Sequence, residues 1–271
     1  MKCCIIMSIY KNDTLNQIKE ALESLYNQTL KADIFIKIDG IINKEIEKFL
    51  DESFKNKQIY YLDKREPNKG LAISLNELLT KVLALEYTYI FRMDADDICN
   101  KDRIKLQINF MEQNKEVDIC GTFIEEFGDG IDYNKIVKYP LTHNEMFEFF
   151  SKRVPLAHVS VCFRNSFFQK AGLYPTKGHI TNEDSLLWLM GFKHNCIFAN
   201  IDYIGVKVRV SKKFFNRRGS LKKIFFDFQN RLLINKELNY GIKGNIFAIG
   251  MLIINILPPS IKKMAYKYLR N

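Results

Sequence analysis

The chain has 271 residues, 47% of them hydrophobic, with a formal net charge of +10. That length fits one large α/β domain or one domain with a sizeable appendage, and the apolar fraction supports a substantial core. The charge points toward an anionic partner such as nucleic acid, acidic lipid or a phosphorylated substrate. The six cysteines are scattered and show no CxxC or Cys/His metal spacing, so they read as reduced core thiols in a reducing compartment.

In chain order, "CCIIMSI" (3–9) reads as a buried strand in which Cys3 and Cys4 face opposite sides. "DTLNQIKEALESLYNQ" puts Leu15, Ile18, Leu22 and Leu25 on one helical face, with Thr14 and Gln17 suited to a capping box. "DIFIKI" (33–38) predicts a second strand ending at Asp39-Gly40. "KEIEKFLDE" predicts a helix, "QIYYL" (58–62) a third strand, "LAISLNELLTKVLAL" a helix, and "TYIFRM" (88–93) a fourth strand. Strands alternating with helices argue for βαβ units and a mostly parallel sheet, in which ligands bind beyond the carboxyl ends of the strands. Ser8 to Tyr10, Asp39 and Asp94 to Asp97 all fall at such ends.

Later the alternation loosens. "VDICGTFIEEF" and "HVSVCF" read as strands, "NKIVKYP" as a short extended piece, "HNEMFEFFSK" as a helix, and "NEDSLLWLMGFK" as a helix with Asn182 available as cap. Lys207 to Lys223 holds eight basic residues and no acidic one. An amphipathic helix (Leu221, Ile224, Phe225, Phe228, Leu232) and the apolar "IFAIGMLIINIL" (246–257) follow, the latter too short to span a bilayer. The only boundary is soft and separates 1–210 from a basic helical extension, 211–271. The start "MKCCIIMSIYKND" predicts no signal peptide.

The stretch "FRMDADDICNKDR" crowds Asp94, Asp96 and Asp97 just past a strand. Like charges there need solvation or a cation. Carboxylates at Asp94 and Asp96 suit a hard ion, Mg²⁺ or Mn²⁺, that keeps positions open for phosphate oxygens. The bland alternative is a solvated turn in which Asp97 caps the next helix. Glu183 and Asp184 open a second-half helix, where they either complement its N-terminus or serve as a general base. Asn68, Gly70 and Asn76 lie at a loop-to-helix transition that suits either turn chemistry or a close approach to phosphate or sugar. Arg209, Arg217 and Arg218 offer an anion site or a solvated basic face.

The ordered set "SIYKND", "KIDG", "NKGLAISLN", "RMDADDICNKDRIKLQ", "ICGT", "PLAHVSVCFR", "GLYP" and "NEDSLLW" resembles glycosyltransferase family 2, whose members are inverting GT-A enzymes using nucleotide-diphosphate sugars. The likeness covers residues 3–220 and is nearest the bacterial branch that builds capsule, exopolysaccharide and lipopolysaccharide O-antigen. It implies a Rossmann-like α/β nucleotide-binding half with a helical C-terminal extension. It places the donor nucleotide, UDP by family habit, on Ser8, Tyr10 and Asp39, with Arg65, Asn68, Gly70, Arg217 and Arg218 as further contacts. Asp94 and Asp96 become the metal pair on the diphosphate. Asp184, beside Glu183, becomes the base that deprotonates the acceptor, with His158 on the acceptor side. Ile38 departs from the acidic pair the family often shows at this point. The acceptor is a glycan or a polyprenyl-diphosphate-linked glycan, and the basic apolar tail implies a peripheral position at the cytoplasmic face of the inner membrane. Two other readings compete: a sugar-phosphate nucleotidyltransferase, which wants a glycine in "SIYKNDT", and a non-catalytic membrane- or nucleic-acid-binding module. No basic-aromatic face favours nucleic acid.

Overall fold

A computed structural model describes residues 2–131, 133–176, 182–211 and 221–257. Four parallel strands form its first half: β1 (Cys3–Tyr10), β2 (Asp33–Asp39), β3 (Tyr61–Arg65) and β4 (Tyr89–Asp94). Their spatial order is β3-β2-β1-β4, so β1 is flanked by β2 and β4. The sheet continues through β8 (Cys162–Arg164), β6 (Val117–Phe127), β9 (Ile197–Arg209) and the two-residue β5 (Ile98–Cys99), with β7 (Lys135–Val137) on β6. The β6–β9 pair is parallel, and the remaining pairs of this half are antiparallel.

Both faces of the sheet are buried, as expected for parallel strands. On β1, Cys3, Ile5, Met7 and Ile9 join one apolar cluster while Cys4 and Ile6 join the other. Helices α1 (Leu15–Tyr26), α2 (Lys44–Lys55) and α4 (Arg103–Gln113) cover the first face through Ile18, Ile46 and Ile104. Helices α3 (Leu71–Ala84), α5 (His143–Phe150), α6 (Asn165–Ala171) and α7 (Glu183–Lys193) cover the second through Leu75, Met146, Phe167 and Trp188. Each such side chain contributes about 1.5–3 kcal/mol by leaving water. Two further helices follow: α8 (Leu221–Glu237), whose Ile234 reaches the second cluster, and α9 (Gly241–Ile256). All six cysteines are buried and unpaired.

The capping box of α1 forms as expected, with Thr14 and Gln17 exchanging bonds. Other expectations need correction. The third strand lies at 61–65 rather than 58–62, because residues 58–60 are a turn that closes α2. "HVSVCF" is a 3₁₀ turn (His158–Ser160) before a three-residue strand. The long β9 was not anticipated, since the polar residues Asn200, Asp202 and Lys207 interrupt its apolar pattern. Asp97 does not cap α4; Asp102 stands at the N-cap. Asn182 occupies the N-cap of α7 in a left-handed conformation, and its side chain bonds Asp227 instead of the helix. On α8, Ile224 is buried but Leu221 and Phe225 face outward, so the apolar face anticipated there is not the core face. Arg217 and Arg218 lie outside the described residues.

Candidate active site

The register of three parallel strands assembles the site. On β1, Tyr10 lies opposite Asp39 of β2, and Ser8 lies opposite Asp94 of β4. Two acids therefore flank the C-terminal end of the central strand, with Ser8 and Tyr10 between them.

Asp39 is 2% exposed. Its carboxylate pairs with Arg65 and accepts from the amides of Lys69 (2.9 Å) and Gly70 (2.8 Å). Its carbonyl accepts from Asn68 Nδ2 at 2.9 Å. Arg65 spends its remaining donors on Glu77, Ser74 and the Pro67 carbonyl. Asp39 and Arg65 thus shape the 65–70 loop. Gly40 makes this possible: its φ of +94° suits glycine, and a Cβ there would sit 3.0 Å from Asn68 Cβ.

At the end of β4, Asp94, Asp96 and Asp97 each present a carboxylate oxygen within 4.8 Å of the others. Arg92, 3% exposed, grips Asp94 through both terminal nitrogens, one at 2.5 Å. Asp97 is buried and accepts from the Arg209 amide at 2.7 Å, while Arg209 Nε donates to the Asp96 carbonyl at 3.0 Å. Arg209 therefore positions this loop. Burial, then the charge of Asp94, pushes Asp96 up to about 6, and burial with both neighbouring acids raises Asp97 well above the ordinary carboxylate value. Three crowded carboxylates made uncomfortable by one another fit a hard divalent cation, which takes oxygen ligands and relieves that repulsion.

The two halves of the motif set converge on Arg92. Its charge stabilises the ionised forms of Glu183 and Asp184 at the start of α7 and opposes protonation of His158. Asp184 accepts from the Ser185 amide at 2.7 Å, yet burial still lifts it above the ordinary carboxylate range. Burial and then Asp184 raise Glu183. A carboxylate lifted toward neutrality in a helix's first turn is suited to take a proton. His158 Nε2 meets the Tyr174 hydroxyl at 2.7 Å, and burial, with Arg92, holds its pKa well below 6.5. Asn76 bonds both the amide and the carbonyl of Tyr174 (2.9 and 2.8 Å), tying α3 to the residue that meets His158.

Sequence reasoning missed Arg92 and Asp13 as site residues. Asp13 accepts from the Tyr10 amide at 2.8 Å, and burial, with Asp96 and Asp94 nearby, pushes it to about 7. The signal for Arg92 was a basic residue in an otherwise apolar strand next to three acids. Asp13 closes the quoted stretch "SIYKND", but only folding brings it to the acidic cluster.

A parallel β3-β2-β1-β4 half with acids at its strand ends, joined to a mixed second half with an acid pair on a helix, is the GT-A glycosyltransferase fold. S. aureus TarS 1-349 in complex with UDP-GlcNAc shares it at a TM-score of 0.65 and 13% identity, over 100% of this chain and 85% of that one. The family model described as Glycosyl transferase family 2 matches residues 4–176, and the chain belongs to that family. A glycosyltransferase of Haemophilus influenzae is 32% identical over 98% of both chains. The UDP-Gal:alpha-D-GlcNAc-diphosphoundecaprenol beta-1,3-galactosyltransferase of Escherichia coli is 28% identical over 98% of this chain and 95% of its own. The protein is accordingly a glycosyltransferase, and neither the nucleotidyltransferase nor the non-catalytic reading stands.

Proposed function

We propose that this protein transfers a sugar, with inversion, from a UDP-sugar to a lipid-diphosphate-linked glycan at the cytoplasmic face of a membrane. The observation that carries the reading is the convergence on Arg92 of the β4 carboxylates and the α7 acid pair, next to the Ser8–Tyr10–Asp39 strand ends. In this reading Tyr10 and the 65–70 loop, which Asp39 holds in shape, receive the nucleotide. Asp94 and Asp96, with Asp97 behind them, would hold Mg²⁺ or Mn²⁺, which when bound neutralises the donor diphosphate. Asp184 takes the proton from the acceptor hydroxyl as that oxygen attacks the anomeric carbon from the face opposite the nucleotide. One displacement inverts the configuration and needs no enzyme nucleophile. Arg92 opposes the rise that burial causes at Asp184. His158, neutral and bonded to Tyr174, supports the acceptor side.

The acceptor class rests on what the E. coli relative is named for, and the UDP preference on that relative and on the TarS complex. The membrane position rests on α9. No described helix is long and apolar enough to cross a membrane. Yet Ile242, Ile246, Ile249, Ile253 and Ile256 form an exposed stripe along α9, the spacing of an interfacial helix.

The central test is Asp184→Asn assayed with UDP-sugars and Mn²⁺. We expect kcat to fall about 10²–10⁴-fold, the range for losing a general base, with thermal-shift stabilisation by the nucleotide sugar retained. Near-normal turnover overturns the assignment. Replacing Ile246, Ile249 and Ile253 by Ser should abolish co-sedimentation with anionic vesicles; unchanged binding overturns the docking.

A further inference from the structure

A cavity of 270 Å³ opens beside Asp184, between the start of α7 and the flank of α8. Asn182, Asp184 and Ser185 line it from α7, Asp227, Asn230 and Arg231 from α8, and Val154 and Ile234 supply apolar wall. We infer that α8 builds the acceptor-sugar subsite of this enzyme, with Asp227, Asn230 and Arg231 reading the hydroxyls of a single sugar ring. The inference rests on Asp184 being the base and deepens that reading by assigning the opposite wall.

The geometry supports a prepared site. Asn182 adopts a left-handed backbone, φ 81°, and donates to Asp227 Oδ1 at 2.7 Å, joining the first turn of α7 to α8. Lys223 donates to the same oxygen at 3.1 Å and to Asn182 Oδ1 at 3.2 Å. Both bonds to Asp227 end on Oδ1, and among the described residues none reaches Oδ2. Arg231 donates to the Phe150 carbonyl and lies over that ring, 5.5 Å from its centroid. A guanidinium has five donors in a fixed fork, so this one is anchored with donors to spare. Burial pushes it down to about 10, still charged at neutral pH.

The lining decides the ligand. A sugar hydroxyl both donates and accepts, and a sugar ring has apolar C–H faces. Carboxylate, amide, serine hydroxyl and guanidinium together offer both roles, and Val154 and Ile234 suit the faces. A phosphate would meet two carboxylates, Asp184 and Asp227, in so small a space. The volume lies below the range of about 300–1,000 Å³ usual for drug-sized ligands, which suits one ring rather than a chain of them. Proximity to Asp184 then makes that ring the one whose hydroxyl is attacked from. The specificity for the acceptor would thus be written partly in a helix beyond the matched family region, residues 4–176.

The test is steady-state kinetics with UDP-galactose and UDP-GlcNAc as donors and a panel of alkyl-diphosphate-linked hexoses and N-acetylhexosamines as acceptors. Asp227→Asn and Asn230→Ala should each raise the acceptor KM at least tenfold and flatten the ranking of acceptor sugars, while the donor KM moves less than twofold. Glu237→Gln, on α8 but outside the cavity, should move neither. Donor and acceptor KM rising together, or an active enzyme whose variants match the wild type, overturns the subsite alone. Loss of competitive inhibition by inorganic pyrophosphate with acceptor ranking intact makes the cavity an anion site and also overturns it. A wild type that turns over no sugar nucleotide overturns both this inference and the reading beneath it.

Discussion

Asp39 and Asp94 end neighbouring strands on either side of β1, and each is gripped by an arginine, yet they do different work. The Asp39 side chain is 2% exposed and ringed by Arg65 and two backbone amides. The Asp94 side chain is 36% exposed, and beyond Arg92 it faces other carboxylates. One is a finished node whose charge is consumed in holding a loop. The other belongs to a cluster whose charges are in excess until a ligand arrives. Residue type and strand-end position are common to both. What separates them is how many donors the surrounding backbone supplies.

Substitutions on the two sides should therefore fail in different ways. The largest effect is expected from Asp96→Asn: sugar transfer falls about 10³-fold, roughly 4 kcal/mol in barrier, while the melting temperature stays level or rises. It does not fall because the folded state holds Asp96 near 6 against an ordinary 3.8, so ionisation weakens the fold as pH rises through that window. A large loss of thermal stability would erase the contrast. Asp39→Ala should do the reverse, costing about 3 kcal/mol in urea unfolding by stranding Arg65 and two amides in a buried setting. A variant as stable as the parent would show that the node is not a node.

The smallest effect sharpens the boundary between the two. Asp13 sits near 7 in the fold and near 3.8 unfolded, so its proton is lost first from the unfolded chain as pH rises. Its ionisation penalty is absent near pH 4, grows between the two values and is complete above 7. Asp13→Asn should melt roughly 2–4 °C higher than the parent at pH 8, a shift of about 1 kcal/mol, with the difference vanishing near pH 4. An equal shift at both pH values would remove Asp13 from the electrostatic reach of the cluster.

Much of the first half was legible because its signals are local. The apolar runs 3–9, 33–38 and 88–93 have the length of buried parallel strands, and the Thr14–Gln17 box marks a helix start within four residues. The acids at strand ends follow from topology alone. The second half was less legible. β9 hides behind polar residues that find partners in the fold: Asn200 reaches the Pro140 and Pro155 carbonyls, and Lys207 pairs with Glu125. Arg103 and Gln107, polar residues of α4, are buried and bridge the β4 end to Val161, Cys120 and Ser160.

The amino-acid order by itself determined the βαβ alternation, the strand-end placement of Asp39 and Asp94–Asp97, and the helix opening with Glu183 and Asp184, because period, caps and turn residues act over a few positions. Only the tertiary structure decided that the charge of Arg92 acts on both acid groups, that Asp13 joins one of them, and that α8 faces Asp184 across a cavity. Those relations depend on contacts between residues far apart in the chain, where burial and neighbouring charge, rather than residue identity, set what each side chain does.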